Sequence, residues 1–94
     1  MGTFSKTEYV NNQVEVELKP AKGFQSRKYL FIQNRSANDI YINQGTHAKA
    51  NQGTVLAAGL FYERWVNPPQ GQIYVSGSIA APAVQEIGID EEFI

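Results

Sequence analysis

The sequence predicts an all-β fold: a small antiparallel β-sandwich or barrel, jelly-roll-like or immunoglobulin-like, with about seven strands and an extended N-terminal arm. Three observations predict it. Apolar residues recur with a period of two in short runs such as Val14, Val16, Leu18 and Ile73, Val75, the alternation of a strand buried on one face. Clusters of Gly, Pro, Asn and Asp punctuate the chain every 8 to 15 residues, as turns between strands do. Ala, Glu, Leu and Lys never gather at helical spacing through two turns. At 94 residues the chain reads as one domain. Its organisation is an arm over 1–13, a β domain over 14–89 and an acidic tail over 90–94.

Residues 1–13 are mostly polar, and Asn11, Asn12 and Gln13 break any alternation. The segment therefore reads as an arm that orders on contact, with Phe4, Tyr9 and Val10 as its docking side chains. Val14, Val16 and Leu18 then face one side of a strand and Glu15 and Glu17 the other. Pro20, which lacks a donor, and Gly23, which tolerates positive φ, end that strand.

Residues 28–45, KYLFIQNRSANDIYINQG, form the centre of the predicted fold. Two apolar runs flank the turn-forming cluster at 34–39, the sequence form of a β-hairpin with a longer loop. Leu30 and Ile32 share one face, as do Ile40 and Ile42, so Tyr29, Phe31 and Tyr41 point the opposite way. A water-facing strand face carries polar residues, so these aromatics imply that the second face is covered too.

Residues 44–53 read as a contact loop. A short strand at 54–56 and an aromatic strand at 60–66 (LFYERWV) follow, the latter closed by Pro68 and Pro69. Residues 72–76 (QIYVS) repeat the pattern of 39–43 (DIYIN) at a spacing of 33, with Tyr74 opposite Ile73 and Val75. Val84, Ile87 and Ile89 make a last strand interrupted by Gly88, before the acidic end closes on Phe93 and Ile94.

Composition narrows the function classes. Eight basic against nine acidic residues, with no basic stripe, disfavour nucleic acid as a partner. No apolar run approaches the roughly 18 residues of a membrane helix, so no membrane partner is expected. The absence of cysteine excludes disulfides and thiolate metal sites. Seven Asn and eight Gln give the chain a hydrogen-bonding surface with little net charge.

Nothing in the sequence assembles catalysis. His47 is the only histidine and has no ligand-like spacing to any acid, so neither metal nor cofactor is expected. None of Ser26, Ser36, Ser76 and Ser78 lies in a nucleophile-elbow motif. Glu15 and Glu17 sit on the solvent side of a strand, where carboxylates keep an edge soluble. Asn34, Arg35 and Ser36 spell a glycosylation acceptor, a three-residue pattern without weight outside a secretory route.

The aromatic residues carry the signal instead. Tyr29, Phe31, Tyr41 and Tyr74 oppose the aliphatic faces, while Tyr62, Arg64 and Trp65 share one strand with Phe61. The plain reading is a two-sided core. An exposed set of this composition is an interface, where Trp, Tyr and Arg are enriched. The interface candidates are accordingly Tyr29, Phe31, Tyr41, Tyr62, Arg64, Trp65 and Tyr74, with Phe93 and Ile94 docking the tail.

The order of Arg27, residues 29–34 (YLFIQN), Ser36, residues 39–42 (DIYI), Gly45, Gly53, Val55, Leu56, Gly59, Tyr62, Glu63, Pro69 and residues 73–75 (IYV) resembles small accessory virion proteins of bacteriophages. Their pattern is a hairpin R…L-x-I-Q-N-x-S…I-Y-[IV]…G, then G…L-x-x-G…[YF]-E, then I-[YW]-[VA]. The resemblance spans residues 27–76 and leaves out the arm and the tail. It implies a non-enzymatic structural protein of the virion, a homo-oligomer in contact with the major capsid or another virion protein. It carries no catalytic residues. The alternative is a carbohydrate-binding, lectin-like module, with Trp65, Tyr62 and Tyr74 stacking on a surface glycan.

Overall fold

The computed structural model describes residues 2–18, 27–44, 53–66, 68 and 70–93. Its strands are β1 (Gly2–Val10), β2 (Glu15–Leu18), β3 (Arg27–Asn34), β4 (Ile40–Gln44), β5 (Thr54–Leu56), β6 (Phe61–Arg64), β7 (Ile73–Gly77) and β8 (Gln85–Phe93). They form two four-stranded sheets, β1-β8-β3-β6 and β2-β7-β4-β5. All pairings are antiparallel. The predicted β-sandwich is therefore present, with eight strands among the described residues.

The pairings nest. β1 meets β8, β2 meets β7, β3 meets β6 and β4 meets β5, so the chain is one long hairpin, doubled back and rolled up. Contacts between β3 and β8 and between β4 and β7 close the roll into two sheets. This is the eight-stranded jelly-roll order, which decides between the two topologies that the sequence left open.

The expected central hairpin is a corner. β3 and β4 lie in different sheets and do not pair. Two facing sheets put both aliphatic faces into one core just as a hairpin would, so side-chain parity does not separate the two arrangements. The turn itself is set by Asn34, buried completely. Its Nδ2 donates to the carbonyls of Asn38 (2.7 Å) and Leu56 (2.9 Å), and its Oδ1 accepts from the Ser36 amide (2.9 Å) and hydroxyl (2.7 Å). A glycan has no access to a nitrogen buried in this way.

Two further expectations change. Residues 2–10 of the expected arm are a strand paired with β8 along their whole length, and residues 90–93 of the expected tail are the end of β8, between β1 and β3. Both segments look polar because each is amphipathic at best and β1 is an edge strand. The aromatic run at 60–66 contributes a strand only at Phe61–Arg64.

The core lies between the sheets. Leu30, Ile32, Ile87 and Ile89 from one sheet meet Leu18, Ile40, Ile42, Ile73 and Val75 from the other, with Val10 and Leu56 at the margins. Each such side chain contributes about 1.5–3 kcal/mol on burial. The ends of the roll are closed by polar groups. At one end Gln85 Nε2 donates to Ser36 Oγ and to the carbonyls of Asn38 and Asp39, while its Oε1 accepts from the Ser78 and Ile79 amides. At the other, the buried Arg27 guanidinium donates to Glu91 (2.9 Å) and to the Gly71 carbonyl (3.2 Å) and lies over the Phe93 ring. Gln70 clamps the Arg27 backbone, accepting from its amide at 2.8 Å and donating to its carbonyl at 2.6 Å.

Candidate interaction surface

The outer face of the β1-β8-β3-β6 sheet follows from the register. Rows run Ser5, Asp90, Phe31, Glu63 and, one step along, Thr7, Gly88, Gln33, Phe61. Phe31 and Phe61 stack with ring centroids 5.5 Å apart. Beside them the Tyr29 hydroxyl donates to Glu63 at 2.6 Å, and the Ser5 hydroxyl donates to Asp90. The bond to Glu63, partial burial and the neighbouring Glu63, Asp90 and Glu92 carboxylates push the Tyr29 hydroxyl up to about 12, because the phenolate would lose its acceptor and face like charges.

Gly88 explains how a cation lies on this face. A Cβ there would meet the Arg35 guanidinium at 2.5 Å, so the missing side chain leaves the space that Arg35 occupies. From that position Arg35 donates to Gln33 (3.1 Å) and Thr7 (3.3 Å) and pairs with Glu86 at 3.6 Å. Three strands are thereby laced across the sheet by one side chain.

Apolar exposure concentrates at the β6 edge. Leu60, Phe61, Trp65 and Val66 are all exposed, Phe61 at 58% and Trp65 at 75%. Ladder parity shows what the backbone offers there. The Asn34 amide donates to the Leu60 carbonyl at 2.9 Å, which places Leu30 with Arg64 and Ile32 with Tyr62 in hydrogen-bonded pairs. The amides and carbonyls of Phe61 and Glu63 then point away from β3, and among the described residues no strand takes them.

The sequence candidates separate onto different surfaces. Tyr29 and Phe31 are half-buried on the outer face just described. Tyr41 and Tyr74 are buried on the outer face of the other sheet, near each other through the pairing of β4 with β7. The four rings therefore do not form one face. Burial, with Glu17 and Glu15 adjacent, raises the Tyr74 hydroxyl. Tyr62 points inward and packs against the core, Arg64 is exposed, and Trp65 stands out beyond the strand. Phe93 is buried against Arg27, so it is an end cap of the core. Ile94 and His47 lie outside the described residues, as does most of the expected contact loop.

Sequence reasoning missed Leu60 and Val66 as exposed apolar residues and Arg35 as a lacing side chain. Of the docking side chains expected of the arm, Tyr9 is exposed on the outer side of β1 and Val10 is buried in the core. The signal for Arg35 was a glycine flanked by Ile87 and Ile89, a gap in an otherwise regular strand. Chemically the surface is open: no cavity and no group of three or more His, Asp or Glu side chains fit to hold a metal occurs among the described residues. Hydrogen-bonding edge, stacked rings and carboxylates suit it to binding a flat partner. No protein-family model matches the chain, and no curated protein or solved structure matches it.

Proposed function

We propose that this protein is a non-enzymatic structural component of a phage virion, decorating or stabilising the capsid or a vertex, neck or fibre base through oligomeric protein–protein contacts. The observation that carries the reading is the exposure of Leu60, Phe61, Trp65 and Val66 along one short edge strand and its ends on so small a domain. Single exposed apolar residues are ordinary, whereas four on one edge, one of them in a stacked Phe pair, suit an interface. The resemblance over residues 27–76 gives the setting. The rolled eight-stranded topology also occurs in capsid domains, an analogy of fold alone. A domain of this length has a thin core and gains stability from association. The glycan alternative needs Trp65, Tyr62 and Tyr74 on one platform, and they point in three directions.

The test is quantitative mass spectrometry of particles purified from cells that carry the gene, alongside sedimentation of the isolated protein. A fixed copy number per particle is expected. Absence from particles, together with a strictly monomeric protein that does not bind particles lacking it, overturns the reading.

A further inference from the structure

We infer that β6 pairs with β6 of a second copy across a two-fold axis at Tyr62, joining two β1-β8-β3-β6 sheets into one continuous sheet. The inference rests on the assembly reading above and names its contact. Three observations carry it. The outward amides and carbonyls of Phe61 and Glu63 are an unused ladder. The side chains along that ladder and at its ends, Leu60, Phe61, Trp65 and Val66, are the most exposed large apolar groups among the described residues. The opposite edge, β1, turns two charges, Lys6 and Glu8, inward, a device that blocks strand addition, whereas β6 places one charge, Arg64, on its inner parity beside Tyr62, which packs on the core.

Charge selects the occupant and the register. The edge carries one acid, Glu63, on the outer face and one base, Arg64, on the inner face, so it is neutral overall and offers no field for a strongly charged partner. An antiparallel strand edge is self-complementary about a two-fold axis. Continuity of faces and of hydrogen bonds requires that odd residues meet odd residues. An axis at Glu63 opposes two carboxylates, and an axis at Arg64 opposes two guanidinium groups, both unfavourable. An axis at Phe61 runs into Gly59, whose φ of +77° leaves the extended conformation. The axis at Tyr62 opposes no like charges. It sets Phe61 of each copy against Glu63 of the other, with four backbone hydrogen bonds, and continues the Phe31–Phe61 stack diagonally into the second copy.

The experiment measures mass by sedimentation equilibrium and amide exchange by NMR on the full chain. The expected wild-type species is a dimer of about 21 kDa, twice the 10.5 kDa chain. On raising concentration the Phe61 and Glu63 amides gain at least tenfold protection, while those of Ser5 and Thr7, outward on β1, stay fast. Glu63→Pro removes the outward donor together with the carboxylate that accepts from Tyr29, leaves the β3–β6 hydrogen bonds in place, and gives a monomer with an unchanged far-UV spectrum. Should that variant fail to fold, Phe61→Asp, which opposes two carboxylates, gives the same monomer. Since the chain lacks cysteine, Tyr62→Cys forms an intermolecular disulfide on oxidation and Ser5→Cys does not. An oligomer that survives both Glu63→Pro and Phe61→Asp, or that crosslinks through Ser5→Cys, overturns this contact and leaves the assembly reading standing. A wild-type monomer that nevertheless binds particles does the same. A monomer that binds none removes both.

Discussion

The two edges of the β1-β8-β3-β6 sheet solve the same problem in opposite ways. β1 is nine residues long and β6 is four. Length alone makes β1 the greater hazard, since it presents the longer row of unpaired backbone groups. Yet β1 carries Lys6 and Glu8 toward the core side, 3.9 Å apart and both well exposed, and shows Ser5 and Thr7 on its outer side. A strand added there would bury charge. β6 is short but lined by Phe61, with Leu60, Trp65 and Val66 at its ends. The contrast teaches that edge protection is set by what a partner must desolvate: two charges on the core side of β1 against one, Arg64, on that of β6.

The largest expected effect breaks both edges at once. Glu91→Ala removes the carboxylate partner of the Arg27 guanidinium, buried at the end of the β3–β8 ladder on which both edge strands depend, and leaves it the Gly71 carbonyl and the Phe93 ring. Breaking a buried ion pair by removing one partner costs about 3–5 kcal/mol. Against the roughly 5–10 kcal/mol of a domain this size, that leaves little stability. Chemical denaturation should show a midpoint lowered by about half. A loss below 1 kcal/mol would mean that Arg27 finds another partner and that the ion pair is not what closes this end.

Next in size is removal of the guard. Lys6→Val with Glu8→Val converts β1 into an apolar edge without touching its ladder to β8. The outcome expected is new association or precipitation in light scattering, even in a background where Phe61→Asp has closed the β6 edge. A clear, monodisperse double variant in that background would show that the inward charges are incidental. A smaller effect is expected from Phe61→Ser with Trp65→Ser. Both side chains are mostly solvated, so stability of the isolated domain should move by about 0.5–1 kcal/mol. Association, read by sedimentation, should weaken by at least tenfold.

How much of this was legible differs between core and surface. The strands of the core were legible because Val16, Leu18, Leu30, Ile32, Ile40, Ile42, Ile73 and Val75 obey a period of two whatever sheet they join. Which strands pair was not, since the roll brings Gly2 opposite Phe93 and local pattern carries no information over that separation. Strand β1 was illegible because Lys6 and Glu8 occupy the inner parity, and the same substitution of charge for apolar residues that protects an edge erases its signature. The candidate surface was half legible. Composition singles out Trp65 and Arg64, which are exposed, and parity places Tyr29 and Phe31 opposite the aliphatic residues, where they lie half-buried on the outer face. Tyr41 and Tyr74 obey the same parity on the other sheet, and separating them requires knowing that residues 34–39 turn a corner.

The smallest expected effect sharpens the outer face between the two edges. Tyr29 donates to Glu63, on the β6 strand, and its hydroxyl is pushed up to about 12 from an ordinary value near 10. A folded-state value above the unfolded one means that the neutral phenol is the form the fold stabilises. The contribution is present in full below about pH 10 and is lost as pH rises through 12. It concerns a surface bond, so Tyr29→Phe should cost about 0.5–1 kcal/mol at neutral pH. In ultraviolet titration near 295 nm the same variant should remove one late-ionising tyrosine, leaving the raised Tyr74 in place. With Tyr29→Phe the Glu63 carboxylate also loses the donor that draws it back over the sheet. If the β6 edge pairs as inferred, Glu63 is then held less firmly beside Phe61 of the second copy, and dimer affinity should fall slightly, by less than the Phe61→Ser, Trp65→Ser pair. A dimer unaffected by Tyr29→Phe and by Glu63→Gln yet broken by Glu63→Pro would assign the edge to backbone pairing alone, with the outer-face carboxylate as a bystander.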